Sequence, residues 1–433
     1  MTRNLEKSNA GSSPSGVATE ADMKRNYLLI PGIILGCVVG WGISSSEAYE
    51  VWVADQSDTA KESGGFLYVY DGAQLAADPA KTKPTLTVDV AKEINDVCQK
   101  STQKNVRRPH MILVTKDQKY ALVSFLSGHV LVMDTVAKKP LGCLSTGKNV
   151  HAAWPTPDQS MAIAANIAEK KLIRIQTDYQ GGKFSYDPKK DVLDLKALES
   201  GDRPDNAPIC PVTDDTSTYA FVTLRGGGLL VINIKETPMK VVTSLTNNEI
   251  QPAGCGGYQI GNTMYLNSGG GWPIAPLSYN VYAVGLSGLP DTVSAKLLAS
   301  RDTSFSDSHG LWGVGRYLWN VDRAGNMIEV FDSVSNFSVS TIQLAGSHSD
   351  DPAPDLIDFA PDGNYAFVNL RGPNPLTGNH KDVHNAKGST PGVAVIKVLE
   401  GGKGGELIGI TRLTNMVDGK ETADPHGLAV VHP

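Results

Sequence analysis

One short pattern recurs seven times along this chain: an apolar segment opened by a residue that can bind a metal or form a strong hydrogen bond. The copies begin at Pro109-His110, Val150-His151, Pro208-Ile209-Cys210, Gly254-Cys255, Ser308-His309, Pro354-Asp355 and Pro425-His426, and four of them place histidine at the opening. In the clearest copies an aspartate follows seven residues later, at Asp117, Asp158 and Asp362. It sits in a turn that leads to a second apolar segment such as Tyr120–Ser124 or Tyr365–Asn369. Self-similarity at this spacing marks a fold of stacked equivalent units, each too small to bury a core alone.

The unit that starts at His110 reads as four strands: His110–Thr115, Tyr120–Leu126, His129–Asp134 and a last one near Leu141–Ser145, separated by turn residues. Four antiparallel strands make one propeller blade. The same order runs from His151, Ile209, Cys255, His309 and Asp355, giving six blades. Segments Val51–Gln56, Phe66–Asp71 and Thr85–Val90 lack an inner first strand, whereas Pro425–Val431 is an inner strand with no followers. Pairing the two ends closes the ring, which removes exposed sheet edges. The expectation is an all-β, seven-bladed β-propeller over residues 49–433, with the C-terminal inner strand paired to the N-terminal strands. The 44 Gly and 25 Pro suit the many tight turns this requires.

Residues 1–48 read as an address. A polar stretch ends at Met23, followed by Lys24-Arg25, an apolar run from Tyr27 to Ile43, and Ser46-Glu47-Ala48 as a small-x-small cleavage signal. Two other readings stand beside cleavage: an uncleaved anchor with Gly32, Gly36 and Gly40 at helix-packing spacing, and a lipoprotein box at Ile34-Leu35-Gly36-Cys37. All three place the remainder outside the cytoplasm, in the periplasm or beyond, with membrane contact only through that anchor or lipid. Cys98, Cys143, Cys210 and Cys255 then lie in an oxidising compartment, where disulfides are expected. Cys98 and Cys143 flank blade two and read as a loop-pinning bridge, while Cys210 and Cys255 admit either a disulfide or a shared metal. Cys210, one residue past its blade's opening position, is expected to point away from the axis.

The pattern resembles the YVTN-type repeats and, more broadly, the seven-bladed group of lactonase-like proteins, the d1 domain of cytochrome cd1 nitrite reductase and the propeller of nitrous oxide reductase. Pro425-His426-Gly427, Ser308-His309-Gly310 and Pro361-Asp362-Gly363 carry that resemblance. It implies the fold; propellers host unrelated chemistries, so activity has to come from a site.

Inner strands line the channel of a propeller, so His110, His151, His309, His426, Asp355 and Cys255 are expected to converge at its mouth. Imidazole is the commonest ligand for copper, zinc and nickel, and cysteine or aspartate can complete the set. The resemblance points the same way, since nitrous oxide reductase holds copper with histidines in a propeller channel; this chain lacks a His-His pair and a second copper domain. Arg225, Arg323 and Arg371 occupy matching registers and are candidates for binding an anionic ligand. The blade-seven insertion, residues 373–390, adds His380 and His384, and a small molecule or a protein is the expected partner on that loop-rich face. The competing reading has each opening residue brace the backbone of the next blade and the arginines pair with aspartates.

The functional expectation is a transition-metal or redox-cofactor protein, an oxidoreductase or its accessory. A non-catalytic binding scaffold and a lactonase-like hydrolase are the alternatives. The net charge of −6 without a basic cluster excludes a nucleic-acid partner. No Cys-x-x-Cys-His is present, so covalent c-type haem is excluded, and neither a Gly-x-Ser-x-Gly elbow nor a phosphate loop nor a His-Glu-x-x-His motif occurs.

Overall fold

The computed structural model describes residues 48–57, 64–269, 278–302 and 304–433. The N-terminal address, up to residue 47, lies outside them. Among the described residues no helix is long and apolar enough to cross a membrane.

Seven antiparallel sheets follow one another, six of them in simple chain order from the inner strand outward. The inner strands are Pro109–Val114, Val150–Pro155, Pro208–Thr213, Gly257–Ile260, Ser308–Val314 and Pro354–Phe359. The seventh is Pro425–Val431, which pairs antiparallel with Glu50–Asp55 so that Val431 faces Glu50 and Gly427 faces Ala54. Phe66–Asp71 and Leu86–Asp89 complete that sheet. The ring is a seven-bladed β-propeller closed by its two ends.

Blades packed face to face bury both sides of their middle strands, which accordingly read as unbroken apolar runs rather than alternating ones. Every residue of Met161–Asn166 is buried, as is almost all of Tyr219–Leu224. The chain adds the helix Gly72–Ala77 within blade one and the helix Asn95–Thr102 between blades one and two, which the repeat pattern did not announce. A disulfide from Cys98 on the second helix to Cys143 on the outer strand of blade two ties that excursion down.

Two features at the inner-strand entrances set up the channel. The first is a register shift, or β-bulge, between Pro109 and Ile112, Val150 and Ala153, Pro208 and Pro211, Ser308 and Leu311, and Pro354 and Ile357. A bulge frees one residue from the ladder and re-aims its side chain. Just ahead of three of these, Arg108, Asn149 and Ala353 take φ of 59°, 57° and 44°. Such left-handed backbone costs energy outside glycine and turns the chain sharply into the channel.

The second feature is a brace from the second strand of blades two, four, five and seven to the entrance of the next. The Ser124 hydroxyl donates to the His151 carbonyl (2.7 Å), Asn267 Nδ2 to the His309 carbonyl (2.8 Å), and Asn369 Nδ2 to the carbonyls of His426 (2.9 Å) and Gly427 (2.8 Å). Thr223 Oγ1 donates likewise to the Gly254 carbonyl. Ser, Thr and Asn side chains therefore lock these four junctions through main-chain oxygens, and between blades one and two His426 Nδ1 donates to the His110 carbonyl in the same way (3.2 Å).

Closure depends on the last inner strand. Removing residues 425–433 strips blade one of its channel-facing strand and should abolish cooperative unfolding and soluble expression, whereas removing only His432 and Pro433, beyond the strand, should leave the melting transition nearly unchanged. Circular dichroism melts of the two truncations check this, and a sharp wild-type transition in the longer deletion would overturn the closure.

Candidate metal centre

The bulged entrances bring five side chains into one arc around the axis: His309, Asp355, His426, His110 and His151, from blades six, seven, one, two and three. His110 stacks on His426 with ring centroids 3.8 Å apart, His151 meets His110 edge-on at 4.5 Å, and His309 meets His426 at 5.3 Å. His309 Nε2 lies 3.4 Å from His426 Nε2 and 3.2 Å from Asp355 Oδ1, while His426 Nε2 is 3.7 Å from Asp355 Oδ2. All three are buried.

Outer contacts select the ring tautomers. Gln56 Oε1 lies 3.1 Å from His110 Nδ1, and the His110 carbonyl oxygen lies 3.2 Å from His426 Nδ1. Both acceptors place the proton on Nδ1 and leave Nε2 as a lone pair, the arrangement that metal-ligating histidines obtain from their outer shell. His110 Nε2 and His309 Nδ1 are buried with no hydrogen-bond partner among the described residues. Burial is the first cause that drives His110, His309 and His426 well below the usual imidazole range, with neighbouring rings and Arg323 and Arg371 adding to it, and it lowers His151 to about 4. At neutral pH these rings are neutral bases.

Above the arc lies a chain of buried ion pairs. Asp355 accepts from Arg371 Nη1 at 2.9 Å and faces Arg323 Nη1 at 3.4 Å. Arg323 also pairs with Asp307 at 2.8 Å, and Arg371 with Asp424 at 2.6 Å. Arg225, partly exposed, is held by Asp205 at 2.6 Å. The matching register expected of these arginines is real, because their N–H groups donate to Ala207, Asp307 and Ala353 in equivalent places. Their guanidiniums, however, are spent on aspartates rather than presented to an anionic ligand.

The blade-seven insertion closes that end of the channel. Thr377 accepts from Gln56 Nε2 (2.8 Å) and, through its carbonyl, from Arg371 Nη2 (3.0 Å). The Leu376 N–H donates to Asp424 and Asn385 Nδ2 to Asp307, both at 2.8 Å. The histidine arc is therefore inside the channel under a cover, not at an open mouth as the sequence suggested. On its other side a cavity of about 530 Å³ runs down the channel past Met111, Cys255, Trp154, Trp312 and Asp358 to a rim that includes His432.

Both cysteine pairs form the disulfides that the sequence allowed, with one departure in direction. Cys210 does not turn away; it forms a disulfide with Cys255 beside the arc, so in this state Cys255 offers no thiolate to a metal held by the histidines. His151 Nδ1 stands 3.6 Å from Cys210 Sγ and 3.8 Å from Cys255 Sγ. The remaining histidines stay out of the arc. His384 pairs with Asp351 at 2.7 Å, His380 Nδ1 accepts from the Asp382 N–H, and His129 is fixed between Thr102 and Ser127 at 3.0 Å each. Among the described residues, two groups are disposed to hold an ion: His309, Asp355 and His426, and His151, Cys210 and Cys255. Sequence reasoning missed Gln56, whose amide orients His110, and Asp307 and Asp424, which stand two residues before His309 and His426; that repeated offset was the available signal.

No protein-family model matches the chain, and no curated protein sequence does. Solved structures do. A periplasmic gluconolactonase of Pseudomonas aeruginosa is similar over 89% of this chain and 100% of its own, at 15% identity and a TM-score of 0.57. A 6-phosphogluconolactonase assignment from Bacteroides fragilis gives 90% and 99%, 13% and 0.54. The dihydro-haem d1 dehydrogenase NirN gives 88% and 74%, 12% and 0.50. At such identities the likeness establishes the shared seven-bladed β-propeller fold.

His129 offers a clean check on the electrostatics, since it is buried, lies apart from the arc, and is lowered to about 4 chiefly by burial. A depressed histidine stabilises the fold fully above its unfolded value near 6.5 and loses that contribution as pH falls toward the folded value, up to about 3 kcal/mol for a shift of this size. Urea unfolding between pH 7 and pH 4.5 should show His129→Gln losing less stability on acidification than wild type. Parallel curves would contradict the assignment of a neutral, hydrogen-bonded ring.

Proposed function

We propose that this chain is an exported transition-metal-binding propeller, with His309, His426 and Asp355 as ligands and His110 as the nearest further imidazole. One observation carries the reading. A tetrahedral ion with bonds of about 2.0–2.1 Å to nitrogen and oxygen requires its ligand atoms to stand about 3.3–3.4 Å apart. The edges of 3.4 Å between the two Nε2 atoms and 3.2 Å from His309 Nε2 to Asp355 Oδ1 come close to that with no ion imposed on them, and the other carboxylate oxygen, Oδ2, lies 3.7 Å from His426 Nε2. Two imidazoles and a carboxylate suit zinc, with copper(II) and iron(II) as competitors, so the copper suggested by the resemblance is one member of this set.

Charge supports the same reading. Three carboxylates, Asp307, Asp355 and Asp424, share two guanidiniums, Arg323 and Arg371, leaving one negative charge in excess beside neutral rings. A buried cation offsets that excess. Export is supported by the N-terminal pattern and by the two disulfides, which persist in oxidising compartments. The covered, buried setting favours holding or passing on a metal over turning over a bulky substrate, in line with an accessory role.

Metal analysis by mass spectrometry of the full chain from its native compartment should find about one equivalent of zinc or copper. His309→Ala and His426→Ala should each weaken binding by more than the roughly 10–100-fold that losing an outer-shell partner costs. His384→Ala should leave it unchanged. Asp355 is a poor choice for this test because it also neutralises Arg323 and Arg371. A folded, metal-free chain that takes up neither ion at micromolar concentration would return the molecule to the scaffold reading.

A further inference from the structure

His151, at the end of the arc, turns its Nδ1 toward sulfur. Its Nδ1 is 3.6 Å from Cys210 Sγ and 3.8 Å from Cys255 Sγ, and the two cysteine Cα atoms are 5.0 Å apart across adjacent blades. A tetrahedral ion with metal–sulfur bonds of about 2.3 Å and a metal–nitrogen bond of about 2.05 Å sets each N···S edge near 3.6 Å and the S···S edge near 3.8 Å. Both N···S edges are thus already in place. Only the sulfur–sulfur separation is that of a bond, and opening it by about 1.7 Å is within reach of side-chain rotation at this backbone spacing. Cys255 lines the channel cavity, so the pair is reachable from the end opposite the blade-seven cover. His151 itself is partly accessible, unlike His110 and His426.

We propose that Cys210, Cys255 and His151 form a second, redox-gated site that takes a soft or borderline metal ion such as zinc or copper(I) once the disulfide is reduced. The gate is thiol–disulfide exchange with a small dithiol that enters through the cavity Cys255 lines. Its thiolate attacks one sulfur, its second thiol resolves the mixed disulfide, and two electrons and two protons pass to Cys210 and Cys255 as the reductant leaves oxidised. Metal binding then releases the two thiol protons and forms two metal–thiolate bonds and one metal–imidazole bond, with a fourth position open. Oxidised, the pair has no affinity for metal and the chain holds only what His309, His426 and Asp355 hold. Reduced, its capacity rises by one ion. The donor set is separate from that of the proposed axial site, so either can fail without the other.

Cobalt(II) separates the two sites because thiolate ligation gives it an intense near-ultraviolet charge-transfer band that imidazole and carboxylate do not. The full chain, reduced with a phosphine that is then removed under anaerobic conditions, should bind one more equivalent of cobalt than the oxidised chain and show that band. Cys210→Ser should abolish the band while leaving the oxidised chain's cobalt uptake intact, and His151→Ala should weaken the added equivalent at least tenfold. Alkylation provides a second readout that does not depend on any variant folding. Zinc added to the reduced chain should protect Cys210 and Cys255 from iodoacetamide while Cys98 and Cys143 react. The proposal is overturned by a reduced chain with no thiolate band, by a band that survives Cys210→Ser, or by equal alkylation of all four cysteines, including the case in which reduction unfolds the chain.

Discussion

The carboxylate of Asp355 is the point on which the channel end turns. Fully buried, it is shared by Arg371, Arg323, His309 and His426, and the two arginines carry its charge outward to Asp424 and Asp307. Burial pushes this carboxyl up while Arg371 and Arg323 pull it back. Isolated, a charge in that position would cost several kcal/mol; tied into the chain it becomes a structural joint. Asp424 stands directly before the closing strand and Asp307 directly before the inner strand of blade six. One ion-pair chain therefore fixes ring closure, the blade-seven cover and the placement of His309 and His426 together.

Much of this was legible because repeats announce themselves. The opening residues of the blades could be aligned by eye, and the four histidines with Asp355 do meet. The direction of Cys210 was not legible. Counting residues assumes an unbroken ladder, and the bulge between Pro208 and Pro211 inserts a residue that turns Cys210 toward Cys255. The depth of the site was also hidden. Its cover is residues 373–390, whose Gly, Pro and Asn content reads as open loop until Thr377, Leu376 and Asn385 are seen to bond to residues from three blades. Arg323 and Arg371 looked available for a ligand because their aspartate partners are distant or inconspicuous in sequence, Asp424 lying 53 residues from Arg371.

The same geometry separates bracing from chemistry. A histidine at a blade entrance can serve merely as a lock between neighbours, and His426 does so toward the His110 carbonyl, but the locks at four other junctions are made by Ser124, Thr223, Asn267 and Asn369 acting on main-chain carbonyls. Valine or leucine at His151 or His309 would satisfy those contacts equally well, since only the carbonyl is used. The buried imidazoles of His110 and His309, in place of aliphatic side chains, thus carry a desolvation cost that these braces do not require. Left-handed backbone at Arg108, Asn149 and Ala353 adds to that cost at blade entrances.

Access then decides what such a centre can do. A metal that turns over substrate keeps a coordination position open to it, whereas a metal that is stored or structural is closed in. Here the insertion seals the near end, and the far approach runs through a channel where Trp154 and Trp312, from blades three and six, come within 6.5 Å centroid to centroid. The likeness to lactonases and to the haem d1 enzyme rests on the shared fold alone, and any ligand of His309 or His426 has to approach from the side of the cavity that Trp154 and Trp312 line.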